Sequence, residues 1–473
     1  MTAYLLSKSG RKVTVIEDGF LGSGETGRTT AHLTCALDDR YYYLENTFGS
    51  RAAKLAAESH KAAIRQIGEI IAAENIDCDF KVVNGYLFLD PSDQEENLEK
   101  EFRATQNAGI NTFLENTTPA IEGGDSLRSI KFPGQAQFHV LKYLNGLAQA
   151  IVKNGGRIYT ETHADTIDKN GVTANSHRIN AAQVVVATNS PINDIFTMHT
   201  KQHAYRSYVI ACKIKKGAMP YALWWDTGDN HSKWVAKPYH YVRLEPFDDN
   251  YDLLISGGED HKTGQGESED LTEKDRYQNL ENWTREHFKG LEETVYRWSG
   301  QVLEPVDSLG YMGKNPGDDN IYIITGDSGN GMTHATIGAM IISDTINGIP
   351  NEWTTLYDPS RITFKSAPDY LKEVGNMASQ YLDWVRPSDV KDLDELKNNE
   401  GGILTSGLKK IAAFRDSEGK MHQCSAVCPH LGCIVRWNDD EKTFDCPCHG
   451  SRFSSEGIVL NGPAKSNLEP LDL

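Results

Sequence analysis

The spacing of apolar positions divides the chain into three regions. Near the start, AYLLSK reads as the end of a helix closed by Gly10, and Val13 to Ile16 as a strand with Glu17 at its end. A long helix is predicted over about 50–75, because Ile64, Ile67, Ile70 and Ile71 share one face at helical spacing. A second helix begins near Leu141, in HVLKYLNGLAQAIVKNGG, with Gly155 and Gly156 as its stop. RIYTET and VVVATNSP follow as strands. Between 205 and 260 the segments YRSYVIACKI, YHYVRLE and DLLISGG predict a region richer in strands. IYIITGDSGNGMTHATIGAMII then reads as strand, glycine loop and helix. After Pro368 the pattern changes: Tyr370 to Gly402 is charged and polar, a linker with a helix, and short strands and turns take over from about Arg386.

Alternating strands and helices with one sheet-rich insertion predict an α/β fold. A Rossmann-like nucleotide-binding domain would occupy about 1–200 and 300–350, and a mixed-sheet substrate domain about 201–300. Together they fill 1–370; 371–385 is the linker, and 386–473 is a small all-β domain. A length of 473 residues is too great for one core and agrees with this division. The net charge of −18 argues against nucleic acid or an anionic membrane as the main partner. No apolar run is long enough to span a bilayer, and MTAYLLSKSG lacks the pattern of a signal peptide, so the cytoplasm is the expected compartment.

Candidate chemistry is concentrated at the C-terminal end. Cys35, Cys78 and Cys212 are scattered, as buried apolar cysteines usually are. Cys424, Cys428, Cys433, Cys446 and Cys448 fall close together, which points to metal or redox chemistry. Cys428-Pro-His430 and Cys446-Pro-Cys448-His449 each supply one cysteine and one histidine. A zinc finger would normally group cysteines with cysteines and histidines with histidines. The mixed order is that of a Rieske [2Fe–2S] cluster: Cys428 and Cys446 would hold one iron as thiolates, His430 and His449 the other through imidazole. The motif resembles the cytochrome bc1/b6f type of Rieske domain, and that resemblance implies a disulfide between Cys433 and Cys448. Cys424 has no matching partner. Where the respiratory pattern has tyrosine, this chain has Phe453, so Ser451 is left as the hydroxyl donor to a cluster sulfur. A potential below the respiratory proteins and above plant-type ferredoxins is expected.

Upstream, ETGRTTAHLT, VVVATNSPIND, ISGGEDHKTGQ, WSGQ and TGDSGNGMTHATIGAM follow one another in an order and spacing that resemble the D-amino-acid-oxidase/glycine-oxidase type of FAD-dependent oxidoreductase. The likeness is greatest to the bacterial subgroup carrying a C-terminal iron–sulfur module, and it covers nearly 1–370. It implies FAD, with Glu17 on a ribose hydroxyl, Thr29 and Thr30 near the pyrophosphate, and Ala187, Gly326, Asp327, Gly329, Gly331, Met332 and Thr333 along the cofactor. A helix opening near Thr333 behind bare glycine amides suits an anion. Helix N-capping is an alternative role for Thr29 and Thr30. Counting back from Glu17 puts the usual glycine fingerprint just before Met1, so the first strand and the pyrophosphate loop are expected to be missing. The G-x-G-x-x-G at Gly22, Gly24 and Gly27 follows the acidic residue and is rejected as that fingerprint.

The family oxidises amines or amino acids by hydride transfer to flavin, with a cation usually holding the substrate carboxylate. Arg243 and His240 are the candidates here, with Trp225 and Tyr241 packing on the substrate; a half-buried strand face is the alternative for this pattern. The fusion implies that the cluster relays single electrons to or from the flavin, with a redox partner outside the chain. Two other readings stay open at this point. One is an electron-transfer protein with a non-functional flavin site. The other is a Rieske oxygenase, for which Asp194, His199 and His203 have a loosely suitable spacing.

Overall fold

The apolar stripe folds as the helix Ser50–Glu74, which buries Ala53, Ala56, Ala57, Ala63, Ile64, Ile67 and Ile70 and ends where Asn75 turns left-handed. The computed structural model describes residues 1–193, 198–266 and 271–471. Asp194, one of the candidate iron ligands, therefore lies outside the described residues.

The nucleotide-binding region is built from short parallel pairs. Thr14–Ile16 pairs with Arg157–Tyr159. Val184–Val186 pairs with Ile321–Thr325, which turns antiparallel onto Tyr311–Lys314. Among the described residues these two sheets share no strand. The helices Thr2–Lys8, Val140–Lys153 and Gly331–Asn347 flank them. The rejected glycine motif forms a single 3-10 turn at Glu25–Gly27. A side chain on Gly27 would run into the Gly22 carbonyl, so these glycines let the turn close on itself.

The strands of the sheet-rich insertion belong to a nine-stranded mixed sheet that four strands from residues 32–137 complete. Its long members are Gln202–Lys215, Tyr251–Lys262 and Leu291–Pro305, with Gln202–Lys215 paired antiparallel to both of the others. Ala222–Asp226 runs parallel to Lys81–Phe88 and joins the insertion to the earlier part of the chain. Gln202–Lys215 is buried on both faces, and the C-terminal domain docks on the face that carries Arg206.

The C-terminal domain holds a three-stranded and a four-stranded antiparallel sheet. Ile403, Phe414, Phe444 and Phe453 pack with the cysteines in one core. The expected linker is helical over Ala367–Gln380. Glu373 on this helix is buried against Lys262 and Asn376 bonds to Gln265, while Gln380 accepts from Arg436 at 2.9 Å, so the helix lies across both halves of the chain. No helix among the described residues is long and apolar enough to cross a membrane.

Candidate functional site

Two loops of the C-terminal domain close by the same hydrogen bonds. In the first, Cys428 N–H donates to Cys433 O (2.8 Å) and Gly432 N–H donates to Cys428 O (3.0 Å). In the second, Cys446 N–H donates to Ser451 O (2.8 Å) and Gly450 N–H donates to Cys446 O (3.0 Å). Each turn needs a left-handed residue near its end, and glycine supplies it at φ +77° and +80°. The repetition sets Cys428 and Cys446 side by side. His430 and His449 meet on the same side, their rings 4.9 Å apart.

A disulfide joins Cys433 to Cys448 and ties the two loops together. The Cys446 sulfur lies within 4.8 Å of both disulfide sulfurs. That trio is not a metal-ligand set, because two of its sulfurs are bonded to each other. The residues present fit a Rieske cluster. His449 is 6% exposed, and among the described residues neither of its ring nitrogens has a hydrogen-bond partner. Burial, with His430 and His199 adding to it, lowers its pKa to about 3 and keeps the ring in the neutral form that ligates iron. Cys428 and Cys446 would supply the thiolates.

Ser451 is buried, its hydroxyl within bonding reach of Cys428, and its Oγ accepts from Ala464 N–H at 3.0 Å. Phe453 lies opposite Phe444 in the core that holds the cysteines. Phe453→Tyr is therefore expected to add a hydroxyl near the cluster and raise its midpoint potential in protein-film voltammetry. An unchanged or lower potential would show that no cluster sulfur is within reach.

The residues expected around FAD gather at two places. Glu17 follows Thr14–Ile16, its N–H bonded to Tyr159 O and its carboxylate to Gly19 N–H at 3.3 Å. Ala187 sits in the turn after Val184–Val186, and Thr325, at the end of the neighbouring strand, donates to Asn189 O at 2.6 Å. Gly326 and Gly329 are left-handed in the loop that leads into Gly331–Asn347. No side chain caps that helix, so the amides around Gly331, Met332 and Thr333 fit the anionic part of a bound flavin nucleotide. Asp327, by contrast, already accepts from Leu303 N–H at 3.0 Å. Thr29 and Thr30 do not cap a helix. Thr29 Oγ1 accepts from Ala31 N–H, and Thr30 Oγ1 bonds to His32 Nδ1.

The two catalytic candidates are spoken for. Arg243 is buried, with its guanidinium on Thr30 O, on Leu244 O and on the Glu245 carboxylate. His240 stacks on Trp283 at 3.9 Å, between Asp226 (2.7 Å) and Glu259 (3.4 Å). Burial alone would lower its pKa; the carboxylates overcome that and raise it to about 10. Neither stands as a free cation for a carboxylate, and the strand-face reading describes them better. Trp225 is buried in the core against Gly85. Tyr241 bonds through its hydroxyl to Ser207 at 2.7 Å.

Of the oxygenase candidates, His203 lies 3.6 Å from Glu373, and His199 packs on both cluster histidines, 4.9 Å from His430 and 6.3 Å from His449 between ring centres. Arg206 and Glu441 were missed altogether. They meet at 2.6 Å across the docking surface, far apart in sequence, and no local pattern marks them. Gln301 completes this surface by donating to Gly450 O at 3.0 Å, as does Asn461, which donates to Glu25 at 2.9 Å.

Comparison with known proteins matches residues 1–345 to the family described as FAD dependent oxidoreductase, and residues 384–472 to the Rieske [2Fe-2S] domain. A Bacillus subtilis protein named YhfW, described as a Rieske 2Fe-2S iron-sulfur protein, is 33% identical over 100% of this chain and 91% of its own length. The cytochrome b6-f complex iron-sulfur subunit of Synechococcus sp. (strain JA-3-3Ab) is 56% identical over 18% of this chain and 51% of its own. Among solved structures, glycine oxidase from Bacillus cereus shares the fold over 76% of this chain and 95% of its own, with a TM-score of 0.58 at 16% identity. L-proline dehydrogenase from P. horikoshii does so over 76% and 93%, with a TM-score of 0.56 at 18% identity.

Proposed function

The chain belongs to the FAD-dependent oxidoreductase family and carries a C-terminal Rieske [2Fe–2S] domain, and from that premise we propose that it oxidises an amine or amino-acid-like donor and relays the electrons singly between flavin and cluster. Glycine oxidase and L-proline dehydrogenase, by their names, act on glycine and L-proline, which supports an amine donor. The relay would serve a redox partner outside the chain, in the cytoplasm.

One observation carries this reading. The histidine side of the candidate cluster is turned toward the chain's own oxidoreductase half. His199 packs on His430 and His449, and its Nδ1 lies 3.5 Å from Ser190 Oγ. Ser190 follows Asn189, whose carbonyl accepts from Thr325, the residue before the glycine loop. A short path of ring contacts, hydrogen bonds and covalent bonds thus runs between the two candidate sites. Bound FAD supplies hydride acceptance and the bound cluster one-electron transfer. The chain's residues do the rest: His199 and Gln301 hold the histidine loops in place, the uncapped helix amides steady negative charge, and docking excludes water between the halves.

Illumination of the anaerobic holoprotein with EDTA, which reduces flavin, is expected to bring up the Rieske EPR signal without added mediator. Flavin that stays reduced beside an EPR-silent cluster would falsify the relay.

A further inference from the structure

The glycine loop is bordered by carboxylates that no site above uses. Asp38 accepts from Asn330 Nδ2 at 3.1 Å. It also sits against Gly329, where any side chain would meet its carboxylate and the Tyr239 hydroxyl. Ser328 Oγ lies 2.8 Å from Asp39 Oδ2 and 2.8 Å from Glu304 Oε2. One hydroxyl proton can serve only one of them, so the other contact needs a proton or a cation. Asp260 Oδ1 is buried and has no hydrogen-bond partner among the described residues.

Arg276, whose charge reaches Asp260, donates to Glu259 O at 3.3 Å, and the other cations nearby are committed elsewhere. Arg40 donates to Leu37 O and Asp226 O, His240 is held by Asp226 and Glu259, and Arg361 pairs with Asp307. Burial raises Asp38 and Asp260 to about 7, and it also raises Asp39 and Glu304. Carboxylates packed this way are costly unless protonated or matched by positive charge.

A separate observation points to a guest. Tyr205 is 2% exposed, and its hydroxyl has no hydrogen-bond partner among the described residues, although it lies in the field of Glu304 and Asp260. The rings of Tyr239 and Tyr241, 5.6 Å apart, lie beside the same carboxylates.

We infer that Asp38, Asp39, Asp260 and Glu304 form the donor pocket of this oxidoreductase, and that it takes a protonated amine without a neighbouring carboxylate. The inference rests on the reading that the flavin faces the glycine loop. An ammonium group would supply positive charge in place of the protons that otherwise hold these raised carboxyls neutral. The carboxylate of an amino acid would enter beside four acidic groups, with Arg243 and His240 already paired.

Calorimetric titration of the oxidised holoprotein under nitrogen tests this with matched pairs: methylamine against glycine, ethylamine against alanine. In each pair the amine is expected to bind about tenfold tighter or better. Glu304→Gln and Asp260→Asn should each weaken the amine by about tenfold while the cluster EPR spectrum and the far-UV circular dichroism stay unchanged. Equal or tighter binding of the amino acids, binding indifferent to both substitutions, or no binding by either amine overturns the inference. The relay fails on a different measurement, the illumination experiment, whichever ligand binds.

Discussion

Cys446→Ser is expected to abolish the cluster: iron content and the EPR signal of the reduced protein should fall by about tenfold or more. The physical reason is the donor chemistry. Cys446 lies beside Cys428, and a cluster iron needs both sulfurs as thiolates. A serine hydroxyl stays protonated at neutral pH and is a poor ligand for soft iron. The domain should stay folded, because the Cys433–Cys448 disulfide and both sheets remain. Cys424→Ser is the control. Cys424 is also buried, but its sulfur faces Glu456 O at 3.4 Å, so its removal should leave the iron content unchanged. Iron retained in Cys446→Ser would refute the ligand assignment.

Glu441→Gln is expected to have the largest effect on stability. Glu441 bridges Arg206, which is 1% exposed, and Arg452, which is 2% exposed. The first belongs to the strand Gln202–Lys215 and the second to the Rieske sheet. Removing the carboxylate leaves Arg206 buried beside a neutral amide, while Arg452 keeps Asp445 at 3.0 Å. Breaking a buried pair by deleting one partner costs about 3–5 kcal/mol. The Glu441 side chain is 17% exposed, so the lower end, about 3 kcal/mol, is expected in denaturant unfolding. Cleavage by protease should rise between the two domains. A variant as stable as the parent would show that docking does not depend on this pair.

The same residue predicts an acid response. Burial alone would raise the Glu441 carboxyl, but Arg206 and Arg452 outweigh it and lower the pKa to about 2. A lowered carboxylate stabilises the fold in full above its unfolded pKa of about 4.3, and that contribution is lost as pH falls toward about 2. The stability difference between parent and Glu441→Gln should therefore shrink across this window.

The candidate cluster site was legible as a motif because the four residues proposed as ligands lie on two short loops. Cys428, His430, Cys446 and His449 sit at fixed offsets from Gly432 and Gly450, and the left-handed glycine geometry is a local property. The helix Gly331–Asn347 and its glycine loop were legible for the same reason. For Arg243 and His240 the sequence displays a charge without its partner. Glu245 is two residues from Arg243 yet meets it only through the strand's geometry, and Asp226 reaches His240 from the neighbouring strand. Asp38, Asp39, Asp260 and Glu304 carried no signal, since they come from three separate stretches of chain.

By itself the sequence determined the two cofactor chemistries and the order of the domains, because the helix and strand periods and the turn-forming glycines act over a few residues. The tertiary structure alone decided which charges are spent and which stay unmatched. It also decided that the histidine side of the cluster turns inward on His199. Burial and Coulomb pairing depend on distance in space, and pairs such as Arg206 with Glu441 become neighbours only when the sheets pack.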